Sequence, residues 1–164
     1  MFEILLEQGQ MNRAARAVIL FISQGAYAGR FPVAPGTAGT VVGIFLYLLI
    51  RHLAPGQYFA FSILIFLLGT CAADRAETIL GTKDSPSIVI DEIAGFLVAM
   101  FMVPTSWRFI AAGFLLFRAF DIVKPWPLKR LQDLHGGLGV MLDDIGAGMY
   151  ANLVLQAAVF FISR

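Results

Sequence analysis

Cysteine and charge are both scarce. A single cysteine, Cys71, occurs in 164 residues, so no internal disulfide and no cysteine-based zinc site can form. Charged side chains make up 14% of the chain and hydrophobic ones 59%. An ordinary soluble domain has roughly 25% and roughly 45–50%. A soluble chain of this length must cover its surface with polar groups, so water is not the main solvent here; the mean hydropathy of +0.78 agrees. A net charge of +1 excludes a basic nucleic-acid binder. No internal repeat, low-complexity tract or Pro/Ser-rich linker is present, and disorder, collagen and coiled-coil rods are excluded with them. A cleavable signal peptide is not expected either: Glu3 and Glu7 fall in the opening residues, and no small-residue cleavage site follows an apolar run.

What the chain does have is a series of apolar stretches, at residues 40–50, 58–73, 88–103, 107–123 and 140–162, with a shorter sixth at 14–28. A membrane-crossing helix needs about 20 residues, with a range of about 17–25. The expected fold is all-α: a polytopic membrane helical bundle of about five transmembrane or partially inserted helices. An N-terminal amphipathic segment (1–24) precedes one membrane-embedded domain (25–164). With five spans, Arg13, Arg16, Arg30, Arg75, Lys83, Lys124, Lys129 and Arg130 fall on one side and Arg51, Arg108 and Arg164 on the other. The richer side is expected to be cytoplasmic. If 14–28 also crosses, Arg13 and Arg16 change sides and the bias shrinks.

Five of the eleven acids lie in or at the edges of these runs: Asp91, Glu92, Asp121, Asp143 and Asp144. A carboxylate at membrane depth costs ~2.5–3.5 kcal/mol on insertion scales and faces a partner, a metal or water. Alternating spans bring all five to the side assigned to the cytoplasm. A hard cation such as Mg²⁺ would gather them, because it takes carboxylate oxygens and shares its shell with phosphate. Arg118 with Asp121, and Asp121 with Lys124, stand three apart, so each pair can share a helix face; a purely structural ion pair is the plainer reading. Asp91 and Glu92 point about 100° apart on a helix. On that geometry at most one aims at a given centre, the other serving a second ion, acting as a base, or meeting the helix dipole. Small residues accompany the acids at helical spacing: Asp91, Gly95 and Ala99; Gly139, Asp143, Ala147 and Ala151; Asp144, Gly148 and Asn152. Close helix packing in lipid uses such stripes.

Two loops on the same side suit an anion. Pro35-Gly36-Thr37-Ala38-Gly39-Thr40 places glycines and hydroxyls where a helix can begin, with free N–H groups for a phosphate; an ordinary turn fits too, and no Walker A lysine follows. The segment from Lys124-Pro125-Trp126-Pro127 to His135-Gly136-Gly137 offers a cation and an imidazole. Trp126 reads as an interface anchor, and His52 and Cys71 as structural.

Taken in order, these residues resemble the phosphatidylglycerophosphatase A family. The resemblance rests on Gly36-Thr37 and Gly39-Thr40; Asp84; Ser87-Ile88-Val89-Ile90-Asp91-Glu92 and Gly95; Phe117-Arg118 and Asp121; and Lys124-Pro125-Trp126-Pro127. Asp133, His135-Gly136-Gly137, Gly139, Met141, Asp143-Asp144 and Ala147-Gly148 complete it. It runs from about Gly25 to the C-terminus, and residues 1–24 carry no family motif. It implies a bacterial inner-membrane, Mg²⁺-dependent phosphatase that converts phosphatidylglycerophosphate to phosphatidylglycerol and phosphate.

The residue-level reading accommodates that reaction by direct hydrolysis. Asp91, Glu92, Asp121, Asp143 and Asp144 are the expected ligands for one or two Mg²⁺, and Asp91, Glu92, Asp143, Asp144 and His135 the expected catalytic groups. Thr37, Thr40, Arg118 and Lys124 are expected to hold the phosphate. An aspartyl-phosphate route lacks its Asp-x-Asp-x-Thr pattern, and the histidine-nucleophile lipid phosphatase motifs are missing as well. A cation- or proton-coupled transporter is the alternative use of such carboxylates, although its site belongs near the midplane. The long signature of a CDP-alcohol phosphatidyltransferase does not fit residues 84–148. Oligomeric state is open.

Overall fold

Capping chemistry sets the helix boundaries in the computed structural model, which describes residues 12–131 and 134–162. Asn12 accepts from the Ala14 N–H to open α1 (Arg13–Ser23), and a 3-10 turn follows at Ala28–Arg30. Proline at the first helical turn starts both α2 (Pro35–Ile50) and α3 (Pro55–Leu80), and Gly81, at φ +70°, ends α3. Then come α4 (Ile90–Ala99), α5 (Trp107–Val123) capped by the Ser106 hydroxyl, the single turn α6 (Leu128–Leu131) and α7 (Gly137–Ile162). Every described element is helical, as the all-α reading requires. Residues 1–11 of the N-terminal segment, and Asp133 of the motif series, lie outside the described residues.

The organising element is α4, which packs against α2, α3, α5 and α7. Eight of its ten residues are buried, so it has no free face. Hydropathy alone groups residues 88–103 with the membrane-crossing stretches, but the helix is only about 15 Å long, half of a hydrocarbon core of about 30 Å. Its apolar character reflects burial in protein. A helix that stops inside a bundle leaves carbonyls without partners, and here neighbouring helices supply donors. Asn152 Nδ2 donates to Ala99 O (3.0 Å) and Phe101 O (2.8 Å), Gln156 Nε2 to Phe101 O (3.1 Å), and Tyr58 Oη to Leu97 O (2.8 Å).

Helices α4 and α7 meet backbone to backbone. A β-carbon on Gly148 would run into the Gly95 carbonyl oxygen, and one on Gly95 would lie 2.6 Å from both Asp144 O and the Phe117 ring. This contact seats Asp144 beside the first turns of α4. The antiparallel course of the long helices collects the N-termini of α2, α4 and α7 with the C-termini of α3 and α5 at one end. Asp74 of α3 accepts there from the Gly137 N–H of α7 (3.3 Å). At the opposite end Tyr47 and Thr105 share a hydroxyl–hydroxyl bond of 3.1 Å.

Outward, the bundle is apolar. Two helices, α3 and α7, are long and apolar enough to cross a membrane, and only 22% of the most apolar window of each is buried. Phe45, Leu49, Phe59, Leu115, Leu153 and Phe161 are all exposed. Exposed apolar area of this extent marks a surface that meets a membrane or another protein. Helices α2 and α5, at 16 and 17 residues, are shorter.

The Gly95–Gly148 crossing predicts that Gly148→Leu lowers stability by at least the ~1–3 kcal/mol typical of overpacking. Gly56→Ala, where an added β-carbon meets nothing within 4 Å, should stay within ~0.5 kcal/mol of the parent. Unfolding midpoints of the purified proteins measure both.

Candidate active site

Five carboxylates arrive at the collected helix ends from three helices. Asp91 and Glu92 occupy the first turn of α4, Asp121 the last turns of α5, and Asp143 and Asp144 the second turn of α7. Asp91, Asp121, Asp143 and Asp144 are buried and Glu92 nearly so. Asp91, Glu92 and Asp144 each offer an oxygen such that the three lie within 4.8 Å of one another. The expectation that only one of the adjacent pair Asp91 and Glu92 reaches a given centre is therefore corrected. The Cα–Cβ directions of adjacent helical residues differ by about 100°, yet an oxygen of each carboxylate comes within 4.8 Å of the other and of Asp144.

Two cations stand against these five acids. Arg118 Nη1 lies 2.6 Å from Asp121 Oδ2 and 3.6 Å from Glu92 Oε1. Lys124, just past the end of α5 at φ +45°, points its ammonium at Asp143 and lies 3.7 Å from Asp121. Burial pulls the Lys124 pKa down, but the hydrogen bond to Asp143 and the charges of Asp143, Asp144 and Asp121 outweigh it. The ammonium is held above the ordinary lysine range and stays charged at neutral pH. Asp91 and Asp144 have no ion pair among the described residues. Glu92 Oε2, Asp143 Oδ1 and Asp144 Oδ2 are buried without a hydrogen-bond partner. Orphaned anionic oxygens are costly in a low-dielectric interior. Three converging carboxylates with unused lone pairs are the donor set a hard divalent cation prefers, so the residues fit a metal ion.

The glycine-rich segment reaches this cluster. Gly36, in the first turn of α2, packs so closely that a β-carbon there would collide with Glu92 Oε1 and approach the Arg118 guanidinium to 2.9 Å. Thr37 is half-buried in the same turn. Thr40 is fully buried one turn on, and its hydroxyl donates to Gly36 O (2.8 Å), so that proton is engaged within the helix. His135 is exposed before α7, and among the described residues no hydrogen bond or ion pair joins it to the five acids. The contacts that sequence reasoning missed are the cap on Gly137 by Asp74 and the closeness of Gly36 to Glu92. The first joins residues 63 apart, and no local pattern announces it. The second had a signal in the glycine itself, since a position without a side chain permits close approach.

The phosphatidylglycerophosphatase A family profile matches residues 21–159. A phosphatidylglycerophosphatase A of Haemophilus influenzae is 35% identical over 147 residues, covering 88% of this chain and 90% of that protein. One of Escherichia coli is 35% identical over 140 residues, covering 82% and 79%. A Bacteroides thetaiotaomicron protein provisionally named a phosphatidylinositol-3-phosphatase is 33% identical over 151 residues, covering 87% and 94%. No solved structure matches the chain. All three relatives carry phosphatase names, and the transporter alternative draws no support from them.

The cluster predicts that divalent cations stabilise the folded protein. At 100 times its dissociation constant a bound ion contributes about 2.7 kcal/mol. Mg²⁺ or Mn²⁺ should raise the unfolding midpoint of the parent protein, and Asp144→Asn should abolish most of that rise.

Proposed function

The chain belongs to the phosphatidylglycerophosphatase A family, and we propose that it hydrolyses the terminal phosphomonoester of phosphatidylglycerophosphate to give phosphatidylglycerol and inorganic phosphate. The observation that carries this reading is the convergence of Asp91, Glu92 and Asp144, with unpaired buried oxygens on Glu92, Asp143 and Asp144, beside two cations and the glycine-rich N-terminus of α2. It is the equipment of phosphoryl transfer, which depends on positioning and charge neutralisation.

In this proposal Asp91, Glu92 and Asp144 hold Mg²⁺, with Asp121 and Asp143 completing or supporting the set. The ion, when bound, polarises the phosphoryl oxygens and acidifies bound water. Arg118 and Lys124 neutralise the remaining phosphate charge, their side chains aimed by Asp121 and Asp143. The first-turn N–H groups of α2, with the Thr37 hydroxyl, bind a phosphoryl oxygen. Thr40, whose hydroxyl is engaged with Gly36 O, supports that turn from beneath. A carboxylate oxygen of the cluster accepts the proton of the attacking water. In the same proposal His135 is the group that would donate a proton to the departing glycerol oxygen.

The reading extends to a multi-pass protein of the bacterial inner membrane with its site on the cytoplasmic face. Charge placement supports that orientation. With α1 not counted as a crossing, Arg13, Arg16, Arg30, Arg75, Lys83, Lys124, Lys129 and Arg130 fall on the acid-bearing side against Arg51, Arg108 and Arg164. Counting α1 as a crossing moves Arg13 and Arg16 across and shrinks the bias to six against five. A phosphomonoester head group lies at the membrane surface, where a cluster near one end of the bundle meets it.

The test is release of inorganic phosphate by purified protein from phosphatidylglycerophosphate, phosphatidic acid and phosphatidylinositol 3-phosphate, with Mg²⁺ and with EDTA. Phosphatidylglycerophosphate should be turned over fastest, and EDTA should abolish turnover. Asp91→Asn and Asp144→Asn should each lower kcat/KM by about 10²–10³-fold, in line with the several kcal/mol of charge stabilisation a bound metal supplies. Full activity of both variants in EDTA would refute the proposal.

A further inference from the structure

An arginine outside the acid cluster is held ready for an anion and is used by nothing described so far. Arg30 ends the 3-10 turn between α1 and α2 and is exposed. Its Nε donates to Gln24 Oε1 (2.8 Å), and its guanidinium stacks 4.2 Å over the Tyr27 ring. Gln24 is itself buried, at 3% exposure, and fixed from the other side, its Nε2 donating to Ser87 Oγ (3.2 Å). Arg30 makes no ion pair with any described residue, so its terminal nitrogens keep their donors for a ligand.

The backbone is strained to build this arrangement. Gly25, Ala26 and Tyr27 are consecutive left-handed residues at φ +52°, +54° and +69°. Residues with a β-carbon adopt that region at an energetic cost, and such strain concentrates at functional positions. The left-handed turn places the Tyr27 ring under the guanidinium, where cation–π attraction holds it. An arginine ordered in advance gives up less side-chain entropy when it binds.

The turn packs on the two segments that lead into the acid cluster. A β-carbon on Gly29 would strike the carbonyl of Ser87, four residues before Asp91, and the turn also packs on α2, whose Gly36 abuts Glu92. Immediately after Arg30, Phe31 and Val33 are 61% and 71% exposed. A cation bordered by exposed apolar side chains matches the boundary between head group and hydrocarbon.

Resting on the phosphatase reading, we propose that Arg30 is a specificity-determining residue that binds the internal phosphodiester of the lipid. This diester links diacylglycerol to the head group and is unchanged by the reaction. The acid cluster would handle the terminal phosphate and Arg30 the one nearer the bilayer. Phosphatidylglycerol carries the diester alone, and inorganic phosphate mimics only the terminal group. The two can therefore be used as separate probes.

The experiment compares the parent with Arg30→Gln and Gln24→Leu in mixed micelles. For Arg30→Gln the KM for phosphatidylglycerophosphate should rise about tenfold with kcat within threefold. Inhibition by phosphatidylglycerol should weaken about tenfold, while inhibition by inorganic phosphate stays within twofold. Gln24→Leu, which frees the arginine but keeps its charge, should shift the same two constants by a smaller factor, and Arg30→Lys should partly restore them. Unchanged constants in Arg30→Gln, or equal weakening towards both inhibitors, would overturn the inference. A parent protein that releases no phosphate from the lipid would instead overturn the phosphatase reading.

Discussion

Five carboxylates held at the buried end of a helical bundle with two cations among them form a charge arrangement the polypeptide does not balance by itself. Arg118 and Lys124 take up Asp121, Asp143 and one oxygen of Glu92. Asp91 and Asp144 are left facing each other across the α4–α7 contact, with Glu92 completing the triad. Carboxylates this close in a medium of low dielectric repel one another unless a proton or a cation comes between them. In the proposed reading, affinity for a cation and action on a phosphate both follow from this one electrostatic deficit.

The packing is arranged to hold that deficit in place. Glycines at 95 and 148 let two backbones touch, which brings Asp144 to Asp91, and the glycine at 36 lets the start of α2 close over Glu92 and Arg118. Because α4 is short and enclosed, its acidic first turn lies among other helices rather than in open solvent. The cost of ending a helix inside the bundle is offset by Asn152, Gln156 and Tyr58, which satisfy the carbonyls at its far end. Site and scaffold are therefore coupled through α4: one end bears the acids and the other is anchored by side chains of α3 and α7.

Much of this was legible in the amino-acid order. The alternation of apolar runs with short turns implies that Asp91, Glu92, Asp121, Asp143 and Asp144 share an end. The three-residue spacing of Arg118, Asp121 and Lys124 implies their pairing, which the ion pairs bear out. The start of α2 at Pro35 was legible only in part, since the apolar run begins at Thr40 and residues 35–40 read as a loop where a helix can begin, whereas all six belong to the helix. The short length of α4 was not legible, because burial in protein and burial in lipid select the same side chains, and hydropathy over residues 88–103 cannot distinguish them. Nor was the shared centre of Asp91 and Glu92, which depends on side-chain length as well as helical phase. Contacts between distant segments, such as Asp74 with Gly137 and Gln24 with Ser87, depend on how helices pack, and local patterns carry no trace of them.

The central claim is that Asp91, Glu92 and Asp144 jointly bind a divalent ion. The most direct measurement is anomalous X-ray scattering from crystals of the parent protein soaked in Mn²⁺. The account predicts a single dominant peak, or a close pair, bounded by oxygens of those three side chains and lost in Asp144→Asn. Strong peaks elsewhere with none among these carboxylates would contradict it.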